Sequence, residues 1–550
     1  MSDLALVNGK VWTPAGFAQA LAVSGGLISA LGDDDEIREL ITPATRVVDL
    51  RGRLAIPAFG DGHIHAVSGG VESLRCDLTR YQQRQDYIDA VAAYAADLPP
   101  GAWVLGGGWS MPAFPGGVPS AADLDPVTGG RPAFLPNRDH HSAWVNTAAL
   151  ELAGIDARTP DPGDGRIQRD ERGRPTGTLH DGAMRLVADL VPPVSAAELT
   201  AGLLAAQRYL HSLGITSFQD ACVGEARELG VPDSFDTYRR AADDGLLTAQ
   251  VTGALWWRRD KGLGQIEDLL TRREAASDGA FRATSVKLML DGVCETFTAA
   301  MSEPYLDSHG HTTSHRGELF IDPAELTTAV MKLSELDFQL HFHAIGDRAV
   351  TTALDALATL PAAARAAGRH HLAHLQFIQP SDLERFAAVG AIATFQPLWA
   401  CADDQMEELT IPFIGPERAD WQYPIGGLLR CGSRIAFGSD WPVSSPNPLE
   451  EIHVAVNRVA PLESRVGAST EPFIPEQSIP VADALAAFTS GVAYVNHAED
   501  VTGTLLPGLR ADIAVLDQDV FAIPARDIGA TSVLMTVAGG SVVHSSQDVS

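Results

Sequence analysis

Two hydrophobic patterns alternate along the chain. Short apolar runs rich in Val, Ile, Leu and Phe predict buried strands, and longer stretches with apolar residues every three or four positions predict amphipathic helices. From residue 214 onward the strand-like runs are Gly214–Asp220, Thr248–Gly253, Ser285–Asp291, Phe338–His343, His371–His374, Ala391–Gln396 and Arg434–Asp440. Helical stretches separate them, among them Ala197–Leu213, Pro323–Leu336, Arg348–Leu360 and Asp382–Val389, with Val481–His497 as the last. An earlier run, Leu54-Ala55-Ile56, leads into Pro57–His65 and reads as a strand ending where the glycines begin. About eight strands in βα alternation predict a closed parallel barrel. An open doubly wound sheet is the competitor, but no GxGxxG follows an early strand.

The two ends read differently. Leu4–Val7 before Asn8-Gly9, and Ala20–Val23 before Gly25-Gly26, are hairpin signals. Ala511–Leu516 and Val533–Ala538 before Gly539-Gly540 repeat the pattern near the other end. Neither end has strands enough for its own sheet, so residues 1–56 and 498–550 are expected to pair into one small β domain, with the barrel at 57–497. Residues 66–194, rich in Gly and Pro, break the alternation and read as an inserted subdomain. The expected fold is therefore α/β: a (β/α)8 barrel of TIM type, a small β-sandwich domain formed from both termini, and an insert after the first barrel strand.

A length of 550 residues with 45% hydrophobic content supplies a large core. The net charge of −30 argues against nucleic acid or an anionic membrane as partner, since both require a basic surface. Five scattered cysteines without CxxC spacing fit reduced thiols, and neither a leader peptide nor a membrane-length apolar run is visible, so the cytoplasm is the expected location.

A barrel carries its chemistry at the C-terminal ends of its strands. Those ends present His63 and His65, then Lys287, His343, His374 and Asp440. Side chains two apart on a strand face the same way, so His63 and His65 make a ready pair of metal ligands. The same periodicity aligns His341 with His343 and leaves one of them free to be a core histidine. His370 and His371 compete with His374, and Lys287 has Asp291 as an alternative partner.

These residues, with Val286-Lys287…Asp291-Gly292, His343-Ala344-Ile345-Gly346-Asp347-Arg348-Ala349 and Phe437-Gly438-Ser439-Asp440-Trp441-Pro442, resemble the amidohydrolase superfamily, and in particular the branch containing the N-substituted formamide deformylases. The resemblance spans nearly the whole chain. It implies that His63, His65 and Asp440 hold one metal and His343 and His374 a second. The nitrogen- and oxygen-rich set suits two zinc ions. By the same resemblance Lys287 is carboxylated and bridges the metals, a hydroxide between them attacks the substrate, and Asp440 relays the proton. The implied reaction is hydrolysis of a C–N bond in a small molecule, an amide or N-substituted formamide. A mononuclear deaminase or cyclic-amide hydrolase, and a catalytically silent scaffold, are the alternatives. Two departures from the branch stand out: Ala373 and Asp181 occupy positions where relatives often have glutamate.

On the substrate side, Gly106-Gly107-Gly108-Trp109 and Asp139–Asn146 resemble motifs of the same branch. They offer Trp109 as an apolar wall and His140 or His141 as a donor to the substrate carbonyl. Trp109 and Trp144 serve equally as anchors of the insert. Gln396, Trp399 and Met406 past the seventh strand, and Trp256-Trp257 past the third, are further lining candidates. His309, His311 and His315 read as solvated lid residues. A homodimer is compatible with an exposed β domain and insert.

Overall fold

The apolar runs become eight parallel strands: Phe59–Ile64, Ile215–Val223, Gln250–Trp256, Phe281–Met289, Gln339–Ala344, His371–His374, Ile392–Phe395 and Ile435–Phe437. They pair side by side in chain order. This computed structural model describes residues 2–546 except 164, 227, 228, 230 and 462–468. The strands are buried almost throughout, as a parallel sheet covered by helices requires. The register sets Lys287 beside His341, Met289 beside His343 and Ala344 beside His374, so the candidate ligands of strands four to six share one end of the barrel. The helices show why they form where they do. Ser195 and Glu198 make a capping box at the start of Ala196–Ser212, which buries Leu199, Leu203, Ala206 and Leu210 along one stripe. Asp322 caps Pro323–Glu335 with its side chain alone, accepting from the backbone of Ala324 and Glu325.

The barrel closes between its first and last strands without a regular ladder. Asp440 N donates to His63 O at 2.7 Å and His65 N donates to Trp441 O at 2.9 Å. Beneath them the buried Asp61 carboxylate accepts from Ser439 N at 3.1 Å and from Ser439 Oγ at 2.6 Å. It also accepts from His63 N at 3.0 Å. Glycine is required at this seam, because a Cβ on Gly438 would sit 2.4 Å from His63 N.

This geometry corrects the expectation for the first strand. Leu54–Pro57 belongs to the terminal β sheet, pairing in parallel with Lys10–Thr13 and antiparallel to Ile513–Leu516. The barrel strand begins at Phe59 and runs through the glycines instead of stopping at them. A Cβ on Gly60 would meet Val492 at 2.7 Å, and one on Gly62 would meet Phe437 O at 2.9 Å, so these glycines mark close packing, not a turn.

Both termini contribute to the β region. A six-stranded sheet joins Lys10–Thr13, Gly16–Ala18 and Leu54–Pro57 to Ile513–Leu516, Val533–Ala538 and Ser541–Ser545. A four-stranded sheet of Leu4–Val7, Ala20–Ser24, Leu27–Gly32 and Arg46–Asp49 shares its core, with Leu6, Leu21 and Val23 packed among Val11, Ile513 and Val537. Between the first two barrel strands lies another six-stranded sheet, with Ser142–Val145 and Pro175–Asp181 near its middle. Its hydrophobic core is aromatic: Tyr87, Trp109, Phe114 and Trp144 pack at 5.1–6.3 Å between ring centroids. None of the five cysteines is joined in a disulfide.

Candidate active site

The strand ends bring all six expected ligands to the wall of one cavity of about 690 Å³. Asp440 Oδ1 lies 3.1 Å from His63 Nε2 and 3.0 Å from His65 Nε2, and Asp440 Oδ2 lies 3.9 Å from His374 Nδ1. One donor atom each from His63, His374 and Asp440 falls within 4.8 Å of the others. Asp440 Oδ1 is buried, crowded by two imidazoles, and has no donor in hydrogen-bond geometry. The Asp440 oxygens and the Nε2 atoms of His63 and His65 crowd together instead of pairing with one another, which is how the ligands of a cation are arranged, and with His374 Nδ1 facing Gln396 Oε1 at 3.0 Å the nitrogen this ring has left to offer is Nε2. The set fits a divalent metal.

The remaining ligand candidates stand on the other side of that point. The His343 ring centroid is 4.4 Å from that of His374, and His343 Nδ1 faces Asp291 Oδ1 at 3.2 Å. Asp291 also accepts from the backbone N–H groups of Ala300, Ile345 and Gly346, so it is committed to His343 and the loop behind it. The alternative pairing of Lys287 with Asp291 is therefore not made. Lys287 is buried with Nζ 3.4 Å from His63 Nε2, and among the described residues no carboxylate lies within ion-pairing distance of it. Burial pushes its ammonium down to about 7, against the opposing pull of Asp440.

The insert lowers two imidazoles into the same cavity. His141 Nδ1 meets Asp181 Oδ1 at 2.7 Å, and His140 Nε2 lies 3.2 Å from Glu72 Oε1. Burial opposes protonation of His141, but the hydrogen bond and charge of Asp181, with Asp139 and Glu295 behind it, prevail and hold the ring up at about 9. His140 is shifted upward too, Glu72 outweighing burial. The shorter Asp181 still reaches its histidine. Trp256, Met289, Val293 and Ile345 give the cavity apolar walls, and Trp399 stacks on His374 at 5.4 Å with ring planes 3° apart. A second, larger pocket of about 1650 Å³ joins it past Trp399 and contains Arg138, Glu295, Asp403 and Met406.

Two expected substrate contacts are corrected. Trp109 is fully buried in the insert, its Nε1 donating to Leu135 O at 2.8 Å, and it does not line the cavity. Gln396 is also fully buried; its Oε1 lies 3.0 Å from His374 Nδ1, so it orients that ring instead of lining the cavity. Trp257 packs into the barrel core. His309, His311 and His315 are exposed. Glu72, Asp61 and the contact of His341 with His63 escaped the sequence reading. Asp61, a carboxylate two residues before His63 in an otherwise apolar strand, is the one that left a visible signal.

An eight-stranded parallel barrel with histidines and an aspartate converging at its strand ends defines a metal-dependent hydrolase. The chain belongs to the amidohydrolase family, whose profile matches residues 46–544. It is 30% identical to Protein LONG AFTER FAR-RED 3 of Arabidopsis thaliana, over 99% of this chain and 92% of that one. It is 27% identical to the N-substituted formamide deformylase of Arthrobacter pascens, over 98% of each. Among solved structures, a metal-dependent hydrolase from Pyrococcus furiosus matches with a TM-score of 0.69 at 26% identity, covering 94% of this chain and 99% of that one. Among the described residues no helix is long and apolar enough to cross a membrane.

Proposed function

We propose that the chain hydrolyses the C–N bond of a small amide, with N-substituted formamides as the preferred class. The observation that carries this reading is the meeting of the His63–His65–Asp440–His374 cluster with His141, paired to Asp181, across one apolar-walled cavity. His63, His65 and Asp440 would hold one zinc ion, and His343 and His374 a second. Lys287 would bridge them as a carbamate: its amine adds to carbon dioxide, an N–C bond forms and one proton is released. A buried amine without an ion-pair partner, set among neutral imidazoles, supports that assignment. When bound, the metal supplies Lewis acidity toward the scissile carbonyl and lowers the pKa of coordinated water to roughly 7.

The chain's own groups do the rest. Asp440 takes a proton from the attacking water and delivers it to the leaving nitrogen. His141, kept as an imidazolium by Asp181, donates to the carbonyl oxygen as negative charge grows there. Trp256 and Met289 exclude water and receive an apolar N-substituent, and Trp399 holds His374 in plane. Five cysteines outside any disulfide agree with a cytoplasmic setting.

The test is incubation of the zinc-loaded protein with a panel of N-aryl and N-alkyl formamides and matched acetamides, followed by NMR. Formate and free amine are the expected products. Full metal occupancy with no turnover of either series, or ammonia released from amino-substituted heterocycles instead, overturns the proposal.

The role of His141 gives a pH signature. Protonated His141 is the active form, so activity falls as pH rises through about 9. In Asp181→Asn the largest raising interaction is lost, and burial pushes the ring down against Asp139 and Glu295 alone. The basic limb of the kcat/KM profile is then expected to move by more than one pH unit to the acid side, roughly the weight of one ion pair. An unmoved limb removes His141 from the mechanism.

A further inference from the structure

His341 lies one layer below His343 on the fifth strand and is fully buried. Its Nε2 is 2.7 Å from Nδ1 of His63 and 3.5 Å from Nζ of Lys287. Its Nδ1 is buried without a hydrogen-bond partner. The ring rests on His371 with centroids 3.9 Å apart. His371 is itself pinned at both nitrogens, by Thr394 Oγ1 at 2.9 Å and Gln219 Oε1 at 2.8 Å. Gln219 in turn donates to Gln339 Oε1 and Asn496 Oδ1. The plane of His341 is thus set by a rigid polar layer across the barrel floor.

A metal-bound histidine needs its distal nitrogen occupied, because that partner fixes the tautomer and the ring orientation. A carboxylate or backbone carbonyl commonly fills that place. For His63 the group in place is an imidazole. We propose that His341 is a positioning residue of the metal centre: its Nε2 accepts the Nδ1 proton of His63, so that Nε2 of His63 presents its lone pair toward Asp440 and His65. Protonation of His341 at Nε2 would remove that acceptor, so the arrangement requires the neutral ring with its hydrogen on Nδ1. The bottom of the barrel is thereby coupled to the ligand set at its top. The proposal rests on the reading of His63 as a ligand and on nothing about the substrate.

The test uses full-length zinc-loaded protein titrated with a competing chelator, together with the melting temperature of the chelator-treated protein. Three variants are compared. His341→Phe keeps the ring and its stacking but removes the acceptor; His341→Gln places an amide oxygen where Nε2 stood; His63→Ala tests the underlying site. The expected result is zinc affinity weakened by about ten- to hundredfold in His341→Phe, with the melting temperature of the chelated protein nearly unchanged and most of the affinity restored in His341→Gln. Wild-type affinity in His341→Phe overturns the proposal. Equal loss in the Phe and Gln variants, or an affinity loss that follows a fall in melting temperature in both, overturns it as well by reducing His341 to packing. Wild-type zinc affinity in His63→Ala refutes the ligand reading itself, a result distinct from the other two.

Discussion

Replacing Asp440 by Asn is expected to lower kcat for amide hydrolysis by a factor on the order of 10²–10⁴, as removal of a general acid–base does, while the chelator-treated protein melts as before. Asn keeps the shape of the side chain and the backbone contact of Asp440 N with His63 O. It loses the anionic oxygen that both His63 Nε2 and His65 Nε2 approach within 3.1 Å. Two functions disappear together: a charged ligand and the proton relay. Kinetics with metal analysis separates them, since a variant that retains its metal but not its turnover has lost only the relay. A variant keeping a tenth or more of the wild-type kcat rules out Asp440 as the relay.

The second large effect falls on metal content. Lys287→Ala is expected to reduce bound zinc from about two ions per chain to one or none, because a bridged pair depends on the group between its metals. The measurement is metal per chain by plasma emission on protein expressed with zinc. Lys287 is buried among His63 and His341, with no carboxylate within ion-pairing distance among the described residues, a costly place for a lysine whose role is purely structural. If wild-type protein holds a single ion that survives the substitution, the bridge is absent and the site is of the mononuclear kind, which directs substrate screening to deamination.

Much of the barrel was legible because parallel strands announce themselves as continuous apolar runs. His371–His374 has the same limits in sequence and structure, and His343, His374 and Asp440 stand where strand ends meet polar chemistry. What stayed hidden shares a cause: identical residue types serve opposite purposes. Glycines of the first strand look like a stop signal, yet they let strand and helix approach. Gly69 and Gly70 likewise obscure helix Ala66–Ser73, where a Cβ on Gly70 would lie 2.0 Å from Gly202 O. With that helix unseen, its Glu72 could not be matched to His140. Trp109 reads the same as a pocket wall or a core anchor, since both call for a large apolar ring. Gln396 was misassigned because a polar residue beyond a strand suggests solvent, whereas its amide turns inward to His374.

The seam of the barrel has a bearing on folding. Asp61 and Ser439 are 378 residues apart in the chain, and their contact draws together the strands that carry His63 and Asp440. A chain whose last strand has not yet docked lacks Asp440, the one carboxylate of the proposed first metal site. A metal held by the proposed ligands would bind tightly only to chains joined beginning to end, and would hold that join shut.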